Sequence, residues 1–332
     1  MLLRLADPDA RYAAVRLHSD LPALEYEREG EDWTLDLGGG AAGVSVQRLE
    51  YELELVLADG GSEWVLDPGN PLRAPGAFGD KSVLLLGGYE PPAWLDAPGV
   101  KGSERELTAP GRGLGTDVEV RLWSPADAKD RTRLPLLVAN DGPEYAELAG
   151  LTDYCAAMIA SGALPPHRVA LVAPGARNEW YSASPLYAGA LVRGVLPAVA
   201  AEVAVRGAPV AMGASLGALA MLHAQHRHPG TFAGLFLQSG SFFTPEHDIQ
   251  ERGFERWARV TAFVAEILSG GVGSGAAPAV LTCGAGEENL QNNREMAAAL
   301  GEQLHELGDL HNYTAWRDAL DPHLTHLLAG LW

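Results

Sequence analysis

The chain has 332 residues, of which 47% are hydrophobic and 20% are charged, a composition typical of a folded protein with a sizeable core. Its 24 Lys and Arg residues against 43 Asp and Glu residues give a net charge of -19, which disfavours nucleic acid and anionic membranes as partners and favours a small-molecule ligand. No apolar stretch reaches the length of a membrane span and the opening residues lack a secretory signal, so we expect a cytoplasmic protein.

The first hundred residues alternate apolar and polar side chains in short runs that are separated by Gly, Pro and Asp turns. The runs lie at 13–18, 33–37, 49–57, 64–66 and 83–86. Period-two alternation is typical of half-buried strands, so residues 1–100 are predicted to form a small all-β sandwich domain. A stretch rich in Pro, Gly and Asp at 90–102 is the expected domain boundary.

Residues 103–332 are predicted to form an α/β domain, because apolar strands there alternate with helical segments. Runs at 104–108 and 117–123 indicate an antiparallel entry, and buried strands are expected at 134–139, 169–172, 210–212, 234–237 and 279–282. A helix over 292–300 that Gly301 caps precedes a short last strand at 303–307. The segment 269–277, rich in Gly, Ser and Ala, is expected to be a flexible connection. The pattern predicts a mostly parallel sheet covered by helices on both faces.

The most informative motif is Gly-Ala-Ser-Leu-Gly at 213–217, which follows an apolar strand and opens an Ala- and Leu-rich helix. A serine hydroxyl is a poor nucleophile unless a sharp strand-to-helix turn presents it beside backbone N–H groups and a base. Gly213 and Gly217 remove the Cβ atoms that such a turn would crowd. Ser215 is therefore the candidate nucleophile.

An α/β-hydrolase needs an acid and then a histidine on loops after later strands. The loop after the predicted strand at 279–282 carries Glu287 and Glu288, of which Glu287 is preferred as the acid and Glu288 is kept as the alternative. His311 lies between the last predicted strand and the final helix, where the base is expected. The histidine would transfer the serine proton while the carboxylate holds its tautomer.

The tetrahedral intermediate of ester cleavage needs two N–H donors. Leu216, at the start of the helix, is one candidate. The other should follow the strand at 134–139, where Pro143 has no N–H, so Gly142 is the candidate. Six residues on neighbouring loops are candidates for a substrate pocket: Tyr145, Arg177, Trp180, Tyr181, Phe242 and Phe243.

Cys155 and Cys283 are too few for a disulfide framework or a thiolate metal cluster, and are expected to be buried free thiols. His223, His226 and His228 follow the serine on its helix, but no cysteine or acidic residue adjoins them in the sequence. They are interpreted as surface side chains at a helix end. Neither a metal nor a cofactor is expected.

These segments together resemble the putative-esterase family of α/β-hydrolases, and within it the enterochelin esterase-like branch, over nearly the whole chain. The resemblance rests on residues 212–220, 238–243, 284–287 and 311–317. Residues 64–71 and 88–92 are similar to the immunoglobulin-like module that precedes the hydrolase domain in that branch. The resemblance implies Ser215 as nucleophile, Glu287 as acid and His311 as base.

The sequence thus predicts a serine carboxylesterase that cleaves a small-molecule ester through an acyl-enzyme, without fixing the oligomeric state. An acyltransferase or carbohydrate-acyl esterase would use the same triad, and a glycan-binding protein on a non-catalytic hydrolase scaffold is the alternative from another class. A highly anionic iron siderophore complex is disfavoured as a substrate, because the chain is acidic and its only lysines are Lys81, Lys101 and Lys129.

Overall fold

A computed structural model describes residues 1–38, 46–271 and 277–332 of the chain. The described residues group into two compact units, and each unit is discontinuous in sequence. The first consists of Met1–Glu90, Gly284–Glu287 and Leu307–Ala315, and the second of Pro91–Cys283, Glu288–Glu306 and Trp316–Trp332.

The strands before residue 90 form two antiparallel sheets. They are β1 (Leu2–Ala6), β2 (Tyr12–His18), β3 (Leu24–Glu25), β4 (Glu27–Glu29), β5 (Asp32–Asp36), β6 (Arg48–Leu57), β7 (Ser62–Val65), β8 (Arg73–Ala74) and β9 (Lys81–Leu85). One sheet has the order β1-β5-β4, and the other has the order β3-β2-β6-β9-β8, with β7 also paired to β6. The side chains of Leu17, Trp33 and Leu53 are buried in one core that these strands share. Successive side chains of a strand point to opposite faces, so every second residue can face this core.

The second sheet system has eight strands in the described chain, in the order β10-β11-β13-β12-β14-β15-β16-β17. These are β10 (Gly102–Ala109), β11 (Val118–Pro125), β12 (Leu136–Asn140), β13 (Arg168–Val172), β14 (Val210–Ala214), β15 (Gly234–Gln238), β16 (Ala279–Gly284) and β17 (Leu304–Leu307). β10, β11 and β13 pair antiparallel, whereas β13, β12, β14, β15 and β16 are successive parallel neighbours. Because parallel strands end at one edge, the loops after β12, β14 and β15 share that edge.

Helices connect these strands. They are α1 (Gly142–Leu148), α2 (Leu151–Ser161), α3 (Arg177–Tyr181), α4 (Pro185–Ala190), α5 (Leu196–Glu202), α6 (Leu216–Arg227), α7 (Trp257–Glu266), α8 (Leu290–Leu300), α9 (Tyr313–Asp318) and α10 (Thr325–Leu331), with single 3-10 turns at Ala93–Asp96 and Ile249–Gly253. Strands and helices of this unit share one large hydrophobic core, which includes Val138 of β12 and Leu219 of α6.

The predicted fold class is confirmed, since an all-β region precedes an α/β region with a mostly parallel sheet. Every strand predicted between 104 and 307 overlaps an observed strand, and Gly301, with φ 74°, caps α8 as predicted. β1 and the two- or three-residue strands β3, β4 and β8 were not predicted. The expected flexible connection at 269–277 includes residues 272–276, which lie outside the described residues.

Both cysteines are buried thiols that form no disulfide, as predicted. The interpretation of His223 as a surface side chain is wrong, because it is 6% exposed and its ring packs edge-on against Phe263 at 4.9 Å between centroids. Among the described residues, no three His, Cys, Asp or Glu side chains are grouped so that they could hold a metal ion. None of the helices in the described part of the chain has the length and apolar character that a bilayer crossing needs.

Candidate active site

Ser215 lies at a sharp turn between a strand and a helix. β14 ends at Ala214, α6 begins at Leu216, and the residue between them has φ 56° and ψ −127°. A residue other than glycine rarely adopts this backbone conformation, which costs on the order of 1–3 kcal/mol of folding free energy. The Ser215 N–H donates to the Gln238 carbonyl at 2.9 Å, which helps to hold the turn. The fold therefore maintains a strained, partly exposed serine with the geometry of a nucleophile elbow.

The two glycines of the motif allow the strand and the helix to approach each other. A Cβ atom on Gly213 would lie 2.6 Å from the carbonyl carbon and oxygen of Gly217. A Cβ atom on Gly217 would lie 3.2 Å from Oδ2 of Asp141. Glycine at both positions therefore lets the helix lie close to the strand and to Asp141. A side chain at Gly213 would push the helix away from the strand.

The loop after β12 adjoins the elbow. Asn140 Nδ2 donates to the Gly217 carbonyl at 3.1 Å, and the next residue, Asp141, has φ 49°. Asp141 accepts hydrogen bonds from Arg177 Nε and Nη2 at 2.9 and 2.8 Å. Gly142 then starts α1, as Leu216 starts α6. First helical residues have N–H groups without an intrahelical acceptor, so both are available backbone donors.

Glu287 and His311 form a hydrogen-bonded pair within the first unit. The distance from His311 Nδ1 to Glu287 Oε2 is 2.7 Å, and the Glu287 side chain is 1% exposed whereas that of His311 is 35% exposed. Glu287 Oε1 accepts from the Gly284 N–H at 2.6 Å. A buried carboxylate against Nδ1 fixes the tautomer in which the other ring nitrogen, Nε2, can accept a proton.

The sequence left two carboxylates open as the partner of His311. Glu287 makes that contact, whereas Oε2 of Glu288 accepts an exposed hydrogen bond from Gln250 Nε2 at 3.3 Å. The two neighbouring glutamates therefore have different environments, one buried against the imidazole and the other on the surface.

The loop that carries His311 is held by a buried arginine from β6. Arg48 Nη1 lies 2.9 Å from Asp309 Oδ2, and Arg48 Nη2 also bonds Glu50. Oδ1 of Asp309 accepts from the Leu310 N–H at 2.8 Å and from Asn312 Nδ2 at 2.9 Å. Burial opposes the charge of the guanidinium, but Asp309 and Glu50 raise the pKa of Arg48 above its ordinary value. Arg48 therefore stays charged and fixes the loop on both sides of His311.

A second hydroxyl lies beside the elbow serine. Ser241 Oγ is 3.0 Å from Ser215 Oγ, and the Ser241 N–H donates to the Ser215 carbonyl at 3.1 Å. Sequence reasoning assigned no role to Ser241 or to Arg48. The available signal for Ser241 was a Ser-Gly-Ser run directly after the strand that neighbours β14; no local signal marks Arg48, because its partner is distant in sequence.

Four of the six side chains expected in a substrate pocket are buried in the interior of the second unit. They are Tyr145, Trp180, Tyr181 and Phe242, each at most 4% exposed. The Tyr145 hydroxyl donates to Gln238 Oε1 at 2.8 Å, and the other three belong to the large hydrophobic core. Packing and hydrogen bonding account for these four positions.

The other two expected pocket residues, Arg177 and Phe243, are partly exposed. Arg177 pairs with Asp141, and Phe243 stacks on Trp257 with 5.8 Å between ring centroids. Their role towards a substrate stays a prediction.

Three solved structures with the same fold are esterases by their descriptions. The enterobactin esterase from Shigella flexneri has a TM-score of 0.74 and 18% identity over 100% of this chain and 92% of its own. The ferric enterobactin esterase from Salmonella typhimurium has a TM-score of 0.75 and 18% identity over 100% of this chain and 93% of its own. A ferulic acid esterase has a TM-score of 0.58 and 18% identity over 70% of this chain and 98% of its own.

The sequence comparisons give the family. No match was found among curated proteins. The family model described as Putative esterase matches residues 111–327, more than half of the chain, and this span includes the elbow serine and the Glu287–His311 pair. The fold is that of the enterobactin esterases described above. The chain belongs to the Putative esterase family of hydrolases.

Proposed function

We propose that the protein is a serine carboxylesterase in which Ser215 is the nucleophile, His311 is the general base and Glu287 orients His311. The observation that carries this proposal is the strained backbone of Ser215 between β14 and α6. Strain of this kind persists where a nucleophile has to be presented at the end of a strand. The buried Glu287 carboxylate on His311 Nδ1 supports the assignment of the base, because it leaves Nε2 as the proton acceptor.

The proposed reaction has two steps. In the first, Ser215 Oγ bonds to the ester carbonyl carbon and its proton passes to His311; the C–O bond to the alcohol then breaks, and the alcohol leaves with that proton. In the second, water attacks the acyl carbon and gives a proton to His311. The bond to Ser215 Oγ breaks, Ser215 recovers the proton, and the carboxylic acid leaves.

We assign the oxyanion donors to the N–H groups of Leu216 and Gly142. Both residues start a helix, and the Asn140 to Gly217 hydrogen bond ties the loop before Gly142 to the helix of Leu216. Pro143 cannot donate, which leaves Gly142 as the donor of its loop. Two preorganised backbone donors are the usual requirement for acyl transfer.

The proposed substrate is a small-molecule ester without a large negative charge, because a net charge of -19 repels polyanions. One structurally similar protein is described as a ferulic acid esterase, so esters of ferulic acid belong in the first substrate panel.

The test is turnover of p-nitrophenyl esters and labelling by a fluorophosphonate probe, with wild-type protein and the Ser215→Ala variant. We expect the wild-type protein to turn over the esters and to be labelled by the probe. The Ser215→Ala variant should do neither, although its melting temperature should equal that of the wild type. Equal turnover by the variant would refute the role of Ser215. Transfer of the acyl group to added alcohols in preference to water would identify an acyltransferase. A wild-type protein that neither turns over esters nor reacts with the probe would be a binding protein.

A further inference from the structure

Ser241 occupies a turn that follows β15, the strand next to that of the nucleophile. Its side chain is 5% exposed, and its Oγ lies 3.0 Å from Oγ of Ser215. The main chains of the two residues are also joined, because the Ser241 N–H donates to the Ser215 carbonyl at 3.1 Å. The hydroxyl of Ser241 is therefore fixed relative to the elbow by two separate contacts.

The turn itself is rigidly held by two asparagines of the α8 region. Asn293 Oδ1 accepts from the Gly240 N–H at 2.8 Å, and Asn293 Nδ2 donates back to the Gly240 carbonyl at 2.9 Å. Asn289 Nδ2 donates to the Ser239 carbonyl at 3.0 Å. Ser239 has φ 47°, and a Cβ atom on Gly240 would lie 2.2 Å from the ring of Phe242. These contacts fix the main chain that leads from β15 to Ser241.

The proposed role of Ser215 determines which of the two serines donates the hydrogen bond between them. Each hydroxyl has one proton, and the 3.0 Å distance fits donation in either direction. If Ser215 gives its proton to His311, as the proposed function requires, its oxygen can only accept from Ser241. The Ser241 O–H then points at the oxygen that loses its proton in the first step and that leaves the acyl group in the second.

We propose that Ser241 is a further catalytic residue, whose hydroxyl donates a hydrogen bond to Ser215 Oγ and stabilises the negative charge that develops on this oxygen as it attacks and as it departs. This proposal rests on the proposed role of Ser215. No bond to Ser241 forms or breaks, and its proton stays on its own oxygen. A hydrogen bond to a charged oxygen is stronger than one to a neutral hydroxyl, so the contact favours the transition state over the resting state.

The experiment compares Ser241→Ala with Ser239→Ala, which removes another buried hydroxyl from the same turn. Oγ of Ser239 accepts from Trp316 Nε1 at 3.0 Å, so its loss disturbs packing without removing the contact to Ser215. Turnover of p-nitrophenyl acetate, its burst phase, the rate of fluorophosphonate labelling and the melting temperature are measured for both variants.

For Ser241→Ala we expect kcat to fall by about tenfold to hundredfold, the range that one hydrogen bond to a charged group supports. KM should stay nearly constant, and both the burst and the steady state should slow. Ser239→Ala should lower the melting temperature while kcat stays within about twofold of wild type, since the lost contact is structural.

Two results would overturn the proposal: a Ser241→Ala variant with wild-type kcat, or an equal loss of kcat in both variants. Ser215→Ala keeps this test separate from that of the proposed function. If Ser215→Ala still turns over esters, the nucleophile assignment fails; if it is inactive and Ser241→Ala is fully active, only the role of Ser241 fails.

Discussion

Arg48 and Asp309 form a buried ion pair at 2.9 Å although 261 positions separate them in the chain. The side chain of Arg48 is 3% exposed and that of Asp309 is 8% exposed. Asp309 also accepts hydrogen bonds from Leu310 and Asn312, so Arg48 of β6 holds a carboxylate that in turn contacts the residues on both sides of His311.

Substitution Arg48→Met should destabilise the protein and impair activity together. Removing one partner leaves the buried carboxylates of Glu50 and Asp309 uncompensated, which costs about 3–5 kcal/mol. We expect a lower urea midpoint and, at temperatures where the variant is folded, a lower kcat. Arg16→Met is the matched control, because Arg16 pairs with Glu25 and Glu54 at the surface of β2 and its loss should leave the midpoint nearly unchanged. Equal effects of the two substitutions would contradict the anchoring role of Arg48.

Glu287→Gln and Glu288→Gln separate the two candidate acids. The amide at Glu287 would keep the size of the side chain but would offer the wrong group to His311 Nδ1, so we expect kcat to fall by roughly 10³- to 10⁴-fold. Glu288→Gln should retain full activity, because its carboxylate contacts only Gln250 in the hydrogen bonds described above. Steady-state kinetics on one ester suffices, and a reversed ranking of the variants would move the acid to Glu288.

Gly213→Ala should disrupt the elbow. The new methyl group would lie 2.6 Å from the main chain of Gly217, so the strand and helix must separate, at a cost of about 1–3 kcal/mol or more. Gly330→Ala is the control, since nothing lies within 4 Å of a Cβ atom at this position of α10. Alanine there should be neutral or should stabilise the helix by about 0.5–1 kcal/mol. Thermal unfolding and esterase activity of both variants test the prediction, which fails if Gly213→Ala is as stable and active as wild type.

Acid should destabilise the fold through His223. Burial, followed by the nearby charges of Arg227 and other basic residues, lowers the pKa of His223 to about 4 from its ordinary 6.5. Between these two values the unfolded chain binds a proton that the folded chain does not, so stability is complete above pH 6.5 and falls as the pH drops towards 4. The loss due to His223 at pH 5 should be about 2 kcal/mol.

Urea unfolding of wild type and His223→Gln at pH 7.5 and pH 5 measures this loss, which the variant should lack. His247→Gln is a control of opposite sign. Glu295 raises the pKa of His247, so the stabilisation from that pair is present at low pH and disappears as the pH rises. The prediction is refuted if His223→Gln and wild type lose the same free energy of unfolding on acidification.

Local pattern was enough to predict the strand, the turn and the helix around Ser215, because a short apolar strand, two glycines and an Ala- and Leu-rich helix each leave a short-range signature. Short-range signatures also predicted the α/β class and most strand positions. Strands of two or three residues, such as β3 and β8, show no periodicity and were missed. Their formation depends on neighbouring strands, not on their own sequence.

Features that join distant parts of the chain could not be read from the sequence. Ser241 meets Ser215 because β14 and β15 are neighbours in the sheet, and nothing at either position reports that order. His223 was interpreted as a surface residue because it belongs to a group of three histidines near a helix end, but the fold packs Phe263 of α7 against it. Tyr181, which was expected in a pocket, belongs to the hydrophobic core, and a large ring after a strand is compatible with either role. Its role towards a substrate stays a prediction.

The discontinuity of the first unit has a consequence for biosynthesis. Its strands leave the ribosome before the segments Gly284–Glu287 and Leu307–Ala315 that complete it are synthesised. Arg48 and Glu50 are therefore synthesised long before Asp309, so their ion-pair cluster is incomplete until the later segment is made. Such long-range pairing slows folding, so the assembly of the Glu287–His311 pair is expected to be a late event in the maturation of the enzyme.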